Sequence, residues 1–82
     1  MSFGDRYAAE WQNLKLVIQE QEHYWQSFVY DFENCDVLYT AKRRTIDSAK
    51  VAALDFVAAH CYGPGHDLNL NTIAEMLLWG PY

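Results

Sequence analysis

The sequence predicts a small α+β domain ordered helix, β-hairpin, helix, short helix, and three features carry that expectation. Apolar residues recur at helical spacing from Phe3 to Ile18, and two aromatic-rich segments between Tyr24 and Thr40 flank a polar turn. An alanine-rich amphipathic stretch then runs from Thr45 into Gly63-Pro64-Gly65. The 82 residues are expected to form one domain, 1-82, of a size that buries a limited share of its unfolded surface. Composition offsets the small size: 51% of residues are hydrophobic and 16% aromatic. Each buried side chain therefore removes a large area from water at about 25 cal/mol per Å², and a folded domain is expected rather than a disordered segment.

The first helix rests on Phe3, Tyr7, Trp11, Leu14 and Ile18, spaced four, four, three and four, with Asp5, Glu10, Gln12, Asn13 and Lys15 mostly elsewhere on the wheel. Ser2 is its expected cap, and Asp5 suits the positive end of the helix dipole. Continued through Trp25, Phe28 and Phe32, the same spacing allows an alternative, an all-α fold with one long N-terminal helix. Composition argues against it, because His23 to Phe32 and Val37 to Thr40 are dense in strand-favouring Tyr, Trp, Phe and Val.

Glu33-Asn34-Cys35-Asp36 reads as the hairpin turn. A four-residue turn there sets Tyr30 opposite Tyr39, Phe28 opposite Ala41 and Phe32 opposite Val37 on one face. On the other face it sets Val29 opposite Thr40, Ser27 opposite Lys42 and Trp25 opposite Arg44.

The second helix should begin near Thr45 or Ile46 and turn Ile46, Ala49, Ala53, Phe56, Val57 and His60 inward, its alanines permitting a close approach to the hairpin. Gly63 supplies the C-cap and Pro64 forbids continuation. Asn71 is the expected cap of a short helix holding Ile73, Met76, Leu77 and Trp79, ended by Gly80-Pro81-Tyr82.

The net charge of −5 is unevenly spread. Asp5, Glu10, Glu20, Glu22, Asp31, Glu33 and Asp36 outweigh Arg6 and Lys15, whereas Lys42, Arg43, Arg44 and Lys50 are opposed only by Asp47. An acidic first half disfavours a broad phosphate-binding surface and suits docking to a protein. Without a charged leader before an apolar run, or an apolar stretch of about 20 residues, a cytoplasmic location is expected. Cys35 and Cys61 are then reduced thiols.

Chemical constellations are sparse. His60, Cys61 and His66 lie close together, but His23 and Cys35 fall in separate elements, so the matched spacing of a four-ligand metal site is missing. His60 reads instead as the end of a core stripe and Cys61 as a small buried hydrophobe. Adjacent helical residues also project about 100° apart, which argues against a thiolate-imidazole couple. Glu20 and Glu22 point to different sides of a helix, while Asp31, Glu33 and Asp36 read as solvated turn residues that discourage edge pairing.

Lys42-Arg43-Arg44 precedes a helix N-terminus, a place where cations and backbone amides can hold an anion. The run Lys42 to Val57, centred on Ser48-Ala49-Lys50-Val51-Ala52-Ala53, resembles the last-strand-to-helix passage of double-stranded RNA-binding domains. The resemblance implies duplex-RNA contacts through Lys42, Arg43, Arg44 and Lys50. Asp47-Ser48 stands where that family has paired lysines, and the hairpin supplies two strands where the family has three.

Three tryptophans and six tyrosines exceed what so small a core can enclose, and exposed Tyr and Trp make binding hot spots. The expected function is therefore a small acidic, non-enzymatic protein-binding module. By class analogy it is an accessory or inhibitory protein of phage or mobile-element type. Its expected partner-binding residues are Trp25, Val29, Leu38, Lys42, Arg43 and Arg44, and it is expected to form a homodimer. No catalytic site, metal or cofactor is expected. A nucleic-acid-associated module using residues 42-50 is the alternative.

Overall fold

The computed structural model of the chain describes residues 4–31, 33 and 36–82. Its elements are β1 (Arg6–Trp11), β2 (Leu14–Glu20), β3 (Trp25–Asp31), β4 (Val37–Arg43), α1 (Ile46–Tyr62), α2 (Leu70–Met76) and β5 (Gly80–Pro81). The strands form one antiparallel sheet in the order β4-β3-β2-β1-β5. The architecture is α+β in the broad sense, but the helix-first order is overturned, as is the all-α alternative: strands come first and helices follow.

The expected first helix is a hairpin, and the reason lies in an ambiguity of spacing. Residues an even number apart share one face of a strand, as do Tyr7 and Trp11 on β1 and Leu14 and Ile18 on β2. Across a two-residue turn, residues three apart pair directly, as Trp11 and Leu14 do. A four-four-three-four pattern therefore fits a tight hairpin as well as a helix. Gln12 and Asn13 decide between them: both have positive φ, 55° and 62°, the two left-handed residues of a type I′ turn. Glu20 and Glu22 consequently lie at a strand end and in the next turn, not on a helix. The expected Ser2 cap and Phe3 lie outside the described residues.

Because left-handed φ is strained for a residue with a side chain, Asn13→Gly should stabilise the turn by roughly 0.5 kcal/mol. Thermal melting should show a midpoint a few degrees higher, and an unchanged or lower midpoint would contradict the turn assignment.

The Tyr24–Thr40 hairpin exists, with its register shifted by one residue. Phe28 pairs with Thr40, Ser27 with Ala41, Gln26 with Lys42 and Trp25 with Arg43, whereas Val29 pairs with Tyr39 and Tyr30 with Val37. A bulge between Val29 and Tyr30 leaves Leu38 as the extra residue. A one-residue slip exchanges the faces, so Trp25, Ser27 and Val29 point toward the helices while Phe28 and Tyr30 point away. In the turn, Asp31 donates its amide to the Asp36 carbonyl at 3.0 Å, and its carboxylate accepts from the Glu33 amide at 2.9 Å. The expected pairing of Phe32 and the turn positions Asn34 and Cys35 lie outside the described residues.

Helix α1 begins and ends as the sequence predicts. Thr45 Oγ1 caps it by accepting from the Ser48 amide at 3.1 Å, and Gly63 ends it with a φ of 98°, which a side chain would strain. Its buried set is wider than expected, comprising Ala49, Ala52, Ala53, Leu54, Val57 and Ala58, because α1 packs against both the sheet and α2. Phe56 is half-buried under Tyr39, their rings stacked at 4.8 Å. His60 is exposed and stacks on Phe56 at 5.8 Å. Cys61, expected to be buried, is exposed.

The alanine face meets an equally small face of the sheet. Ser27, fully buried, donates its hydroxyl to the Ala49 carbonyl at 2.6 Å, a bond that contributes about 1 kcal/mol and fixes the helix over β3. The cap of α2 is Asn69, not Asn71: its side-chain oxygen accepts from the Thr72 amide at 3.2 Å. Gly80-Pro81, expected only to stop a helix, adds a short strand beside Tyr7 and Ala8 of β1. Leu14, Leu16, Ile18, Val29, Ala49, Ala53, Leu54 and Val57 form the core, flanked by Leu70, Ile73, Leu77 and Trp79.

Candidate docking surface

Both helices lie on one side of the sheet, α1 across β2, β3 and β4 and α2 against α1. Among the described residues no element covers the other side. Alternation along each strand and the register between strands place Arg6, Ala8, Glu10, Lys15, Val17, Gln19, Gln26, Phe28, Tyr30, Thr40 and Lys42 there.

Contacts between these side chains confirm that they share a face. Gln26 Nε2 donates to Thr40 Oγ1 at 2.9 Å, and Phe28 and Tyr30 stack at 6.1 Å. Lys15 Nζ lies 3.8 Å and Arg6 Cζ 5.7 Å from the centre of the Tyr82 ring. Lys42 Nζ lies 5.1 Å from that of Tyr24, so the cations extend along aromatic rings. Val17 is only 2% exposed although it lies on this side. The face therefore has an apolar centre, with cations and tyrosines toward its margins.

The expected partner-binding residues do not form one site. Val29 has no exposed surface and belongs to the core, and Trp25 is half-buried against that core. The physical cause is the register slip that exchanged the faces. Leu38 is 39% exposed beside the bulge. Lys42 lies on the open face, whereas Arg43 Nη1 donates to the Lys42 carbonyl at 2.8 Å and Arg44 is exposed in the connection to α1. Lys50, the fourth cation of the RNA-binding resemblance, lies on α1 with Nζ 5.2 Å from the centre of the Trp79 ring. The basic run is thus divided between the open face and the helix side.

Phe28, Tyr30, Tyr24, Val17, Lys15 and Tyr82 belong to this surface but not to the set expected from the sequence. A signal was available in the alanines of α1, because a close helix needs small residues beneath it. Ser27 and Ala41, which pair with each other, mark the inner side of the hairpin.

Elsewhere the geometry is less suggestive. A groove of about 540 Å³ runs along the β1–β5 edge between Glu10, Lys15, Met76 and Leu78. His66 is engaged locally: its Nδ1 accepts from the Leu68 amide at 3.3 Å, leaving Nε2 to donate to Asp55 Oδ1 at 3.4 Å. Among the described residues no three His, Cys, Asp or Glu side chains are grouped to hold a metal ion, and no helix is long and apolar enough to cross a membrane. No protein-family model matches the chain, and no curated protein or solved structure matches it significantly.

Proposed function

We infer that this chain is a non-enzymatic protein-binding module that docks a partner on the open face of its sheet. The observation that carries the reading is the amphipathic strip on that face, built on the Phe28–Tyr30 ring pair over the buried Val17. A sheet side left uncovered is ordinarily polar along its strands. Half-buried aromatic rings flanked by polar groups make the anchor-and-rim pattern of an interface. An accessory or inhibitory role of phage or mobile-element type fits a small domain whose means of action is occlusion, and a cytoplasmic setting fits the exposed thiol of Cys61.

The test is affinity capture from the source cells, with binding constants then measured for the purified partner. Phe28→Ala with Tyr30→Ala should weaken binding by at least about thirtyfold, as expected for loss of about 2 kcal/mol of hot-spot contact. Asp55→Ala, on the helix side, should leave binding unchanged. Equal binding by a folded Phe28/Tyr30 variant would refute the assignment.

One observation favours a second reading. Arg6, Lys15 and Lys42 surround the aromatic strip while Glu10 is its only carboxylate among the strand residues of that face, so a single-stranded nucleic acid could stack there. Oligonucleotide binding that is lost in the Phe28/Tyr30 variant and steeply weakened by salt would favour this reading.

A further inference from the structure

We propose that the open face takes an acidic amphipathic segment of a partner protein, its carboxylates on Arg6 and Lys42 and its apolar side chains against Phe28. The proposal rests on the docking reading of that face and adds the chemistry of the occupant.

The strand register sorts the face into rows that run across the strands. Arg6 pairs with Gln19, Gln19 with Gln26 and Gln26 with Lys42, so one row is polar from end to end and carries a cation at each end. The next row, joined in the same way, is Ala8, Val17, Phe28 and Thr40, apolar up to its last residue. Glu10, Lys15, Tyr30 and Val37 make the row beyond. At about 4.8 Å per strand, Arg6 and Lys42 stand about 14 Å apart at the backbone, a span that about four extended residues cover. Glu10, the carboxylate of the face, sits at the opposite margin from Arg6 on the same strand. A row of donors thus runs beside an apolar row, with negative charge kept away from both.

The cations are held in place without being neutralised. Lys15 and Arg6 extend along the Tyr82 ring and Lys42 along that of Tyr24. Among the described residues none of these cations lies within ion-pair distance of a carboxylate, in a chain with 11 Asp and Glu. An aromatic ring orients a cation and leaves its charge available, so an incoming carboxylate breaks no internal salt bridge. Gln26 spends its amide N–H on Thr40 Oγ1, which leaves Oε1 to accept from a partner N–H.

Charge favours a protein segment over a nucleic acid. Arg6, Lys15 and Lys42 face only Glu10 here, whereas the rest of the chain holds the other three cations and the other ten carboxylates. A polynucleotide long enough to overrun the face meets that acidic surface. A protein segment brings only the few carboxylates that the cations match.

Fluorescence anisotropy with three labelled probes tests the proposal: a glutamate-rich peptide with a central phenylalanine pair, the same peptide with glutamine for glutamate, and a single-stranded oligothymidylate of matched charge. The glutamate peptide should bind at least about tenfold more tightly than either of the others, an advantage that shrinks as salt screens the charges. Arg6→Glu and Lys42→Glu should each weaken it about fivefold, while Lys50→Glu, the same charge change on α1, should stay within about twofold. Equal binding of the two peptides, both lost in Phe28→Ala/Tyr30→Ala, would overturn the acidic occupant and leave the docking face standing. Glutamate-peptide binding that survives Phe28→Ala/Tyr30→Ala would remove the docking face and the proposal together. Absence of glutamate-peptide binding, an equal loss in Lys50→Glu, or tighter binding of the oligonucleotide would each overturn the proposal.

Discussion

Leu54→Ala should remove about 2–5 kcal/mol of stability, a large fraction of the roughly 4–12 kcal/mol expected for a domain of this length at 0.05–0.15 kcal/mol per residue. Leu54 has no exposed surface and belongs to the cluster shared by the sheet, α1 and the residues around α2. Truncation there loses apolar burial and leaves a cavity in the core cluster. Leu78→Ala provides the internal comparison, because Leu78 is 93% exposed and the same change there should stay within about 0.5 kcal/mol. Urea unfolding should show a much lower midpoint for the first variant, at an unchanged slope, and almost no shift for the second. Equal losses at both positions would contradict the burial of Leu54 in the core.

The contrast between α1 and the N-terminal hairpin shows what could be read from the chain. Helix α1 carries local chemistry at both ends: Thr45 caps one, and Gly63 with Pro64 closes the other. Those residues act within a few positions of themselves, so no tertiary knowledge is needed to place them. The N-terminal segment lacks such signals. Its tight turn is Gln12-Asn13, without the glycine that advertises a type I′ hairpin, and its spacing satisfies helix and hairpin alike. Burial could have separated the two, since Leu14, Leu16, Val17 and Ile18 are all enclosed, but burial belongs to the finished fold.

The orientation of β3 was hidden in the sequence for a related reason. Counting large side chains points Phe28 and Tyr30 inward and leaves Trp25 and Val29 outside. The bulge at Val29/Tyr30 changes the pairing by one residue partway along the strand, and no Gly or Pro marks it. Steric fit reverses the apparent hydrophobic preference: a helix lined with alanines accepts Ser27, Val29 and Ala41 beneath it more closely than a row of rings. Phe28 and Tyr30 are thereby displaced to the open side. That displacement gives the sheet an amphipathic outer surface in a protein whose net charge is −5.

Ala53 is the site of the second large effect, for the same steric reason. Ala53 has no exposed surface and lies on the α1 face that meets the sheet. One turn away, the Ala49 carbonyl receives the Ser27 hydroxyl at 2.6 Å. Ala53→Leu keeps the helix propensity nearly unchanged and inserts a branched side chain at a position with no exposed surface. Overpacking costs about 1–3 kcal/mol. Lifting the helix would also strip the Ser27 hydroxyl of its acceptor, adding about 1 kcal/mol or more. Ala59→Leu makes the identical chemical change at a half-exposed position of the same helix and should alter stability by less than about 0.5 kcal/mol. The Tyr39–Phe56 stack at 4.8 Å gives a second readout, because its near-ultraviolet dichroism should weaken in Ala53→Leu and persist in Ala59→Leu. If Ala53→Leu unfolds at the wild-type urea concentration with that signal intact, α1 does not approach the sheet as closely as the Ser27 bond requires.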